Sequence, residues 1–304
     1  MNNDITAVEG IKVGHAENQD TGTGCSVILA EGNFTIGAEV RGGAPGSREI
    51  ALIDSRAAVD QANAVFLSGG SAYGLDAAGG VMKYLKEKNI GFETGGGVVP
   101  IVPAAVVYDL EYKTNHFPDQ KMAYQACLQA NSSKQKNKSI GAATGTTCGK
   151  ISGINYASKT LLGHASIKIG NLIIGALAVV NAFGDIKNPD NGQIIAGAKN
   201  KNGDFLNTEK VILEKPKINL DFLRQNTTLI VITTNAILNK SEANRVSMMA
   251  HSALSRTIYP VHTLLDGDTI FTLASNKFKA DTNQIGIAAA EVVKRAIIST
   301  AKIK

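Results

Sequence analysis

The arrangement of apolar and polar positions along the chain predicts both strands and helices. Short apolar runs rich in β-branched or aromatic residues are typical of buried strands. Such runs occur at residues 64–67, 98–107, 226–234 and 269–273. Two pairs of runs joined by turn residues predict hairpins, namely residues 25–29 with 34–40 and residues 166–169 with 172–181. Pro100 and Pro103 interrupt the run at 98–107, which indicates an edge strand or an irregular crossing.

Four segments carry apolar residues at helical spacing, and we predict helices at residues 72–88, 116–130, 241–258 and 284–300. In the first of these helices one face carries Leu75, Ala78, Met82 and Leu85, and Ser71 is placed to cap it. Strands and helices are mixed along the chain rather than strictly alternating. This order favours the α+β class, with helices covering sheets.

A polar segment from residue 187 to residue 225 is weakly patterned and contains Pro189 and Pro216. We interpret it as a long loop with partial order, and loops of this length in compact domains are often functional or flexible. The chain has no Pro/Ser-rich linker and no abrupt change in composition. The 304 residues are therefore expected to form one domain.

The composition is that of a globular protein, because 44% of the residues are hydrophobic and 19% are charged. It excludes a disordered or fibrous chain. The formal net charge is +5, and lysines collect at residues 134–138 and 187–217. These lysines are interleaved with Asn, Gln and Asp rather than with aromatic residues, so we expect no nucleic-acid partner.

Three cysteines, Cys25, Cys127 and Cys148, are far apart and lack the Cys and His spacing of a zinc site. We expect no metal and no organic cofactor. The first residues lack the basic flank and apolar stretch of a signal peptide, and no apolar run reaches the roughly 18 residues that a membrane span needs. These features predict a cytoplasmic protein without a membrane partner.

Two common catalytic motifs fail on their spacing. Residues 145–150, GTTCGK, place three residues between the glycines, whereas a phosphate-binding loop has four and then Ser or Thr after the lysine. Residues 69–73, GGSAY, have Tyr where the GxSxG nucleophile elbow has its last glycine. The sequence therefore predicts neither a phosphate loop nor that elbow.

The polar segment meets a predicted strand at Asn226-Thr227. A threonine hydroxyl is a weak nucleophile unless a base lies beside it, and a threonine at a chain terminus can use its own α-amine as that base. An α-amine titrates near about pH 8, and a backbone cut after Asn226 would create one on Thr227. The alternative interpretation is that two threonines simply begin a strand.

Eight short blocks, in this order, resemble the L-aminopeptidase/D-esterase family of self-cleaving N-terminal-nucleophile hydrolases, which includes the 6-aminohexanoate-oligomer (nylon oligomer) hydrolases. Each block is loose by itself, but their shared order covers essentially the whole chain. The blocks are VGHA at 13–16, TGC at 23–25, RGGAPG at 41–46, LSGGSAYGLDAA at 67–78, VPIVPAA at 99–105, AVVNAFGD at 178–185, NTTL at 226–229 and DGDT at 266–269.

The resemblance implies a four-layer αββα sandwich and autocatalytic cleavage after Asn226. The products would be an α part, residues 1–226, and a β part, residues 227–304, with Thr227 as the new N-terminus and nucleophile. The processed αβ protomers would form a homo-oligomer. The aminopeptidase branch usually begins its β part with Ser, and it has Ser and Glu where this chain has Asp266 and Asp268. The site therefore resembles the nylon-oligomer branch more closely.

Resemblance to that branch also implies a catalytic set around Thr227. Its members in this chain are Lys150, Asn181, Asp266, Asp268 and Tyr108.

Each of these residues also has an ordinary structural interpretation. Asn181 is either an oxyanion donor or a polar residue at a strand end, and Lys150 either faces the site or lies at the surface. Asp266 and Asp268 are either a coupled pair beside Thr227, in which one carboxyl is protonated more readily, or parts of a turn. For Tyr108 the alternative is a rim aromatic with its hydroxyl in water.

The glycine-rich turn Gly69, Gly70 and Ser71 is expected to approach the substrate, although helix capping explains Ser71 equally well.

These observations together predict a self-processing N-terminal-threonine hydrolase of peptide or linear amide bonds that works through an acyl-enzyme. An aminopeptidase and a linear amide-oligomer hydrolase both fit, and the expected partner is a small peptide or amide. The alternative from another class is an uncleaved, non-catalytic oligomeric binding protein with the same fold.

Overall fold

Two five-stranded sheets face each other at the centre of the molecule, and helices cover both outer faces. The computed structural model describes residues 3–215 and 226–301. The strands are β1 (Ile11–Asn18), β2 (Thr23–Ala30), β3 (Thr35–Val40), β4 (Ser47–Arg48), β5 (Ala64–Ser68), β6 (Phe92–Thr94), β7 (Gly97–Val99), β8 (Ala104–Val106), β9 (Thr147–Cys148), β10 (Ser158–Lys159), β11 (Gly163–Ile169), β12 (Leu172–Asn181), β13 (Asp185–Lys187), β14 (Ile194–Ala196), β15 (Thr227–Ala236), β16 (Ile258–Tyr259) and β17 (Thr269–Phe278).

The α-helices and shorter 3-10 helices lie between these strands. The α-helices are α1 (Ile50–Ile53), α2 (Ala78–Glu87), α3 (Gln120–Gln129), α4 (Thr208–Glu214), α5 (Lys240–Thr257) and α6 (Thr282–Ser299). The 3-10 helices are Ile5–Ala7, Ser71–Leu75, Gly141–Ala143 and Ile154–Tyr156.

The first large sheet has the spatial order β1-β2-β5-β8-β4, and the second has the order β11-β12-β15-β17-β3. Neighbouring strands are antiparallel except for β5 with β8 and β15 with β17, which are parallel. Smaller sheets pair β9 with β10, β6 with β7, and β13 with β14 and β16. Between the two sheets, β8 of the first contacts β15 of the second.

The four layers follow from the alternation of side chains along each strand. On β15, Ile230 and Ile232 pack with α5 and α6, whereas Leu229 and Val231 pack against the first sheet. The outer face of the first sheet packs with α2 and α3 in the same way. The chain is thus an α+β protein with an αββα sandwich architecture, as the resemblance implied.

The same alternation determines where the chemistry-bearing side chains point. On β12, Leu177 and Val179 lie between the two sheets, so Asn181, two residues further on, lies on that face as well. On β15, Thr227 shares its face with Leu229. Asn181 and Thr227 are also cross-strand partners, so both face the space between the sheets at one end of the sandwich.

One predicted hairpin forms and the other does not. Residues 163–181 form the antiparallel pair β11 and β12 around the turn at Gly170-Asn171. Residues 23–30 and 35–40 are both strands, but β2 pairs with β1 and β5, whereas β3 pairs with β17 in the opposite sheet. The hairpin prediction for residues 25–40 was therefore wrong. β2 is buried along its length and has a partner on each side, whereas β3 forms the edge of the second sheet. The turn residues between the two strands do not encode this choice of partners.

The predicted helix 72–88 is shorter and broken in the structure. The chain forms a 3-10 helix at Ser71–Leu75 before α2 begins at Ala78. Ser71 is not a cap, because Gly70 occupies the N-cap position without a side-chain bond and Ser71 itself has a φ of 54°. The predicted strand at 98–107 consists of the separate strands β7 and β8 on either side of Pro100 and Pro103.

The described part of the predicted loop, residues 187–215, contains two regular elements besides the end of β13. Within it lie β14 and α4, and Asn207 caps α4 by accepting from the Lys210 amide. The buried Asp185 carboxylate accepts hydrogen bonds from the backbone amides of Ala198 and Thr208. This one carboxylate anchors two parts of the segment to β13. The rest of the predicted loop, residues 216–225, lies outside the described residues.

No helix within residues 3–215 and 226–301 is both long and apolar enough to cross a membrane.

Replacement of Gly37 by alanine is expected to destabilise the fold, because α5 crosses β3 in direct backbone contact there. A Cβ atom on Gly37 would lie 2.2 Å from the Ala243 carbonyl carbon and 2.4 Å from the Asn244 nitrogen. We expect a loss of about 2 kcal/mol in the free energy of unfolding, measured by thermal or urea denaturation. Gly95→Ala is the control, since a Cβ there meets no atom within 4 Å. Equal stability of the two variants would contradict the packing described here.

Candidate active site

The Asn226-Thr227 peptide lies at the start of β15, beside the loop that carries the two aspartates. The Asn226 amide donates to the Leu265 carbonyl at 2.8 Å, and the Gly267 amide donates to the Asn226 carbonyl at 2.8 Å. Asn226 and Thr227 are 1% and 5% exposed. This peptide bond is therefore held from one side by the backbone of residues 265–267 and is shielded from solvent.

The Thr227 hydroxyl lies against the carbonyl group of the preceding residue. Its Oγ1 donates to the Asn226 carbonyl oxygen at 2.5 Å. That oxygen thus accepts from both the Thr227 hydroxyl and the Gly267 amide. Two donors on one carbonyl withdraw electron density from its carbon, which makes the carbon more susceptible to attack.

Lys150 and Asn181 form a buried polar pair beside Thr227. The Lys150 ammonium donates to the Asn181 backbone oxygen and to its Oδ1, both at 2.9 Å. Oδ1 also accepts from the Thr147 amide at 3.1 Å, and Nδ2 donates to the Tyr108 carbonyl at 2.7 Å. The Asn181 amide is therefore fixed by Thr147 on β9 and by Tyr108, just after β8, as well as by the lysine.

A tight turn at Gly149 places Lys150 beside Asn181. The Gly149 and Lys150 amides donate to the carbonyls of Gly184 and Phe183. Gly149 has a φ of +72°, and a Cβ atom there would lie 1.9 Å from the Ala198 nitrogen, so only glycine fits. Burial lowers the pKa of Lys150 to about 7, although the negative charge of Asp266 opposes this shift. Lys150 is thus close to the balance between its charged and neutral forms near neutral pH.

The two aspartates bind different neighbours. Asp268 Oδ1 accepts from the Thr228 amide at 2.6 Å, directly after the Asn226-Thr227 peptide. Asp266 Oδ2 accepts from the Thr263 amide at 2.9 Å and from the Thr263 hydroxyl at 2.6 Å. Burial, and then the charge of Asp268, raise the pKa of Asp266 to about 6. Asp266 therefore takes up a proton more readily than an ordinary carboxylate does.

The glycine-rich elbow at residues 41–46 supports this acidic loop. The Arg41 amide donates to the Asp268 carbonyl at 2.8 Å, and the Ala44 amide donates to the Asp266 carbonyl at 2.9 Å. These backbone contacts fix the loop that in turn binds Asn226. The elbow thus acts on the junction through this loop.

Tyr108 contributes its backbone rather than its hydroxyl to the Asn181 contact. The hydroxyl donates to Glu111 Oε1 at 3.1 Å, whereas the carbonyl accepts from Asn181. The turn Gly69, Gly70 and Ser71 lies beside it, because the Gly70 amide donates to Asp109 Oδ1 at 2.7 Å and the Ser71 amide donates to the Val107 carbonyl. These hydrogen bonds place the turn next to residues 107–109, and Tyr108 of that segment contacts Asn181.

Two further residues at the site were missed from the sequence. Asp109 is buried, accepts from Gly70 and from the Thr23 hydroxyl, and has its pKa raised to about 6 by burial. His262 contacts Asp268 through Nδ1 at 2.7 Å. Adjacency to Tyr108 was the one available signal for Asp109. For His262 no motif spacing gives a signal, because its contact with Asp268 depends on the backbone conformation of the turn at residues 262–268.

Within the described residues, no group of three or more His, Cys, Asp or Glu side chains is arranged to hold a metal ion.

Comparisons with known proteins identify the family. The sequence matches peptidase family S58 over residues 3–301. An uncharacterized aminopeptidase of Mycobacterium leprae is 34% identical over 97% of this chain and 89% of its own length. A 6-aminohexanoate-oligomer endohydrolase of Kocuria sp. is 27% identical over 96% of this chain and 84% of its own length.

Solved structures agree on the fold. A β-aminopeptidase of Burkholderia sp. superposes with a TM-score of 0.73 at 18% identity, covering 99% of this chain and 86% of that one. The L-aminopeptidase D-Ala-esterase/amidase of Ochrobactrum anthropi, described as a variant of the Ntn hydrolase fold, gives 0.69 at 17% identity, covering 98% and 85%. The resemblance seen in the sequence is confirmed: this chain belongs to peptidase family S58, the L-aminopeptidase/D-esterase family, and is a hydrolase of peptide or amide bonds.

Proposed function

We propose that this protein cleaves its own chain after Asn226 and then hydrolyses amides with the exposed Thr227 as its nucleophile. The observation that carries the proposal is the position of the Thr227 hydroxyl, which lies 2.5 Å from the carbonyl oxygen of the bond to be cut. The Gly267 amide, 2.8 Å from the same oxygen, is already in place for the oxyanion that attack would produce.

Self-cleavage proceeds by an N-to-O acyl shift. The Thr227 oxygen bonds to the Asn226 carbonyl carbon and gives its proton to the Asp266 carboxylate. Asp266 then returns this proton to the Thr227 nitrogen as the C–N bond breaks. The product is an ester between Asn226 and the Thr227 side chain. The shift has already freed the Thr227 α-amine, and water then hydrolyses the ester, which restores the hydroxyl and leaves a carboxylate on Asn226.

In the processed enzyme the Thr227 α-amine serves as the general base for its own hydroxyl. Attack on a substrate amide gives an acyl-enzyme, the amine product leaves, and water hydrolyses the ester. Asn181 has a second amide N–H besides the one that binds Tyr108, and it donates to the substrate oxyanion. The Lys150 ammonium, bound to the Asn181 side chain at 2.9 Å, adds positive charge at the same place. The scheme needs neither a metal nor a cofactor.

Asp266 and Asp268 have different roles in this scheme. Asp268 fixes the backbone after the cut by accepting from the Thr228 amide. Asp266, whose pKa is raised to about 6, exchanges protons with the reacting groups. This division rests on the different contacts of the two carboxylates and on the proximity of Lys150 to Asp266.

Substrate hydrolysis is expected to increase at least about tenfold in kcat/KM from pH 5 to pH 7, because both Asp266 and the Thr227 α-amine lose protons as the pH rises. Asp266 keeps its proton up to about pH 6 because its pKa is raised, so the ionised carboxylate that accepts a proton appears across this window. The groups that face Asp266 are Asp268, Thr263, Lys150 and the Phe183 backbone. A pH series of initial rates, with the melting temperature recorded at each pH as a control for unfolding, tests this. A flat or falling rate over the window would contradict the role of Asp266.

The substrate class is a small peptide or a linear amide. Some relatives are named as aminopeptidases and others as 6-aminohexanoate-oligomer endohydrolases. Peptides and linear amides are therefore both candidate substrates for this chain. An aminopeptidase requires a free substrate amino group, whereas an oligomer hydrolase accepts internal amides. Amino-acid p-nitroanilides tested against capped and uncapped linear amides separate the two. Absence of hydrolysis of every amide in the panel by folded, processed protein would contradict the proposal.

Homo-oligomeric assembly of processed protomers and a cytoplasmic location stay predictions from the sequence.

A further inference from the structure

His262 makes a short contact with one of the two site aspartates. Its Nδ1 lies 2.7 Å from Asp268 Oδ2, and its backbone amide lies 3.3 Å from the same oxygen. The Asp268 side chain is 1% exposed and that of His262 is 17% exposed. A carboxylate oxygen accepts hydrogen bonds, so the tautomer that fits this contact is the one with its proton on Nδ1.

The two oxygens of Asp268 connect His262 to the cleavage junction. Oδ2 binds His262, whereas Oδ1 accepts from the Thr228 amide at 2.6 Å. Thr228 directly follows Thr227, so rotation of the carboxylate would release the backbone beside the nucleophile. A carboxylate at this depth needs several donors to remain ionised and in one orientation.

Two features hold the His262 ring in place. Its backbone lies in the left-handed region with a φ of 56°, a conformation that His and Asn adopt more readily than most residues do. The ring packs edge-on against His251 with centroids 5.0 Å apart, and His251 Nε2 in turn lies 3.1 Å from the Glu39 carbonyl oxygen. The position of Nδ1 is thus fixed by backbone and packing together.

We propose that His262 is a positioning residue that fixes the orientation of Asp268 through its Nδ1–H, and thereby fixes Thr227 for attack. This inference rests on the proposed function, because it acts through Asp268. It assigns a role to a residue that neither spacing nor motif identified. His262 itself does not touch the reacting atoms.

The test compares His262→Asn with His262→Gly. Both residues tolerate the left-handed backbone, but only asparagine has an amide N–H near the position of Nδ1. We expect His262→Asn to keep kcat within about threefold of the unchanged protein. We expect His262→Gly to lose about 10- to 100-fold in kcat, the range typical when an orienting partner is removed, with KM nearly unchanged. The fraction of chain cleaved after a fixed expression time should follow the same order.

Melting temperatures show whether each variant is folded. If His262→Gly does not fold, His262→Gln replaces it, because its longer side chain carries the amide N–H past the Nδ1 position. Equal kcat for the Asn variant and the folded Gly or Gln variant overturns the role of His262. Failure of the unchanged protein to cleave itself would instead overturn the proposed function, so the two failures are distinguishable.

Discussion

Replacement of Thr227 by alanine is expected to leave the chain as one intact 31.9 kDa polypeptide and to abolish amide hydrolysis. The hydroxyl that lies 2.5 Å from the Asn226 carbonyl oxygen is then absent, so neither the acyl shift nor the acyl-enzyme can form. We expect the hydrolysis rate to fall at least about 10⁴-fold, as is typical when a nucleophile is removed. Denaturing electrophoresis measures the first effect and initial rates measure the second.

Thr234→Ala is the matched control for this experiment. Thr234 lies on the same strand and is buried, and its hydroxyl donates to the Ile173 carbonyl at 3.0 Å and accepts from the Ala236 amide at 3.1 Å. Loss of these two hydrogen bonds costs about 1–3 kcal/mol of stability, yet the variant should be cleaved and active. Thr227→Ser keeps a hydroxyl nucleophile and should retain both reactions.

The Thr227→Ala variant also separates the two classes of function predicted from the sequence. If the protein were an uncleaved, non-catalytic binding protein, Thr227→Ala would change neither the electrophoretic pattern nor any hydrolysis rate. Normal cleavage or normal hydrolysis by folded Thr227→Ala would therefore contradict the assignment of the nucleophile.

The second large effect is expected at Asn181. Its side chain accepts from Lys150 and Thr147 and donates to Tyr108. Asn181→Ala removes the proposed oxyanion donor and also leaves the buried lysine with one acceptor fewer. We expect kcat to fall about 10²- to 10³-fold, the range found for loss of one oxyanion donor. Self-cleavage should slow less, because the Gly267 amide binds the oxyanion in that reaction.

Two variants show whether this effect belongs to the site. Asn235→Ala removes the same kind of side chain from the same sheet and should remain active. The Asn235 side chain accepts from the Ile173 backbone amide and donates to the Asn171 carbonyl. Asn181→Asp keeps an acceptor for Lys150 but lacks the amide N–H, so it should be as slow as Asn181→Ala. Activity of Asn181→Ala within about threefold of the unchanged protein would rule out the oxyanion role.

The parts of the fold that the sequence predicted correctly are those with local signals. The β11–β12 hairpin has a two-residue turn at Gly170-Asn171 that sets its register, and α5 and α6 have strong periodic patterns. The neighbouring strands β2 and β3 have turn residues between them as well, yet they lie in opposite sheets. Partner choice between sheets depends on long-range packing, which a turn does not determine.

The candidate site was predicted through the resemblance rather than through spacing. Lys150, Asn181, Thr227 and Asp266 lie far apart in sequence, and none forms a motif with the next. What the sequence could not provide was their environment. The lowered pKa of Lys150 and the raised pKa of Asp266 result from burial, and the His262 contact depends on a left-handed backbone in a turn. These properties arise only when the chain is folded.

The most direct test of the central claim is the intact mass of the purified, active protein. We expect two polypeptides, residues 1–226 and 227–304, whose masses add up to 31.9 kDa plus one water, and an N-terminal sequence beginning Thr-Thr-Leu-Ile on the smaller one. A single uncut polypeptide in fully active material, or a cut at any other peptide bond, would contradict the account.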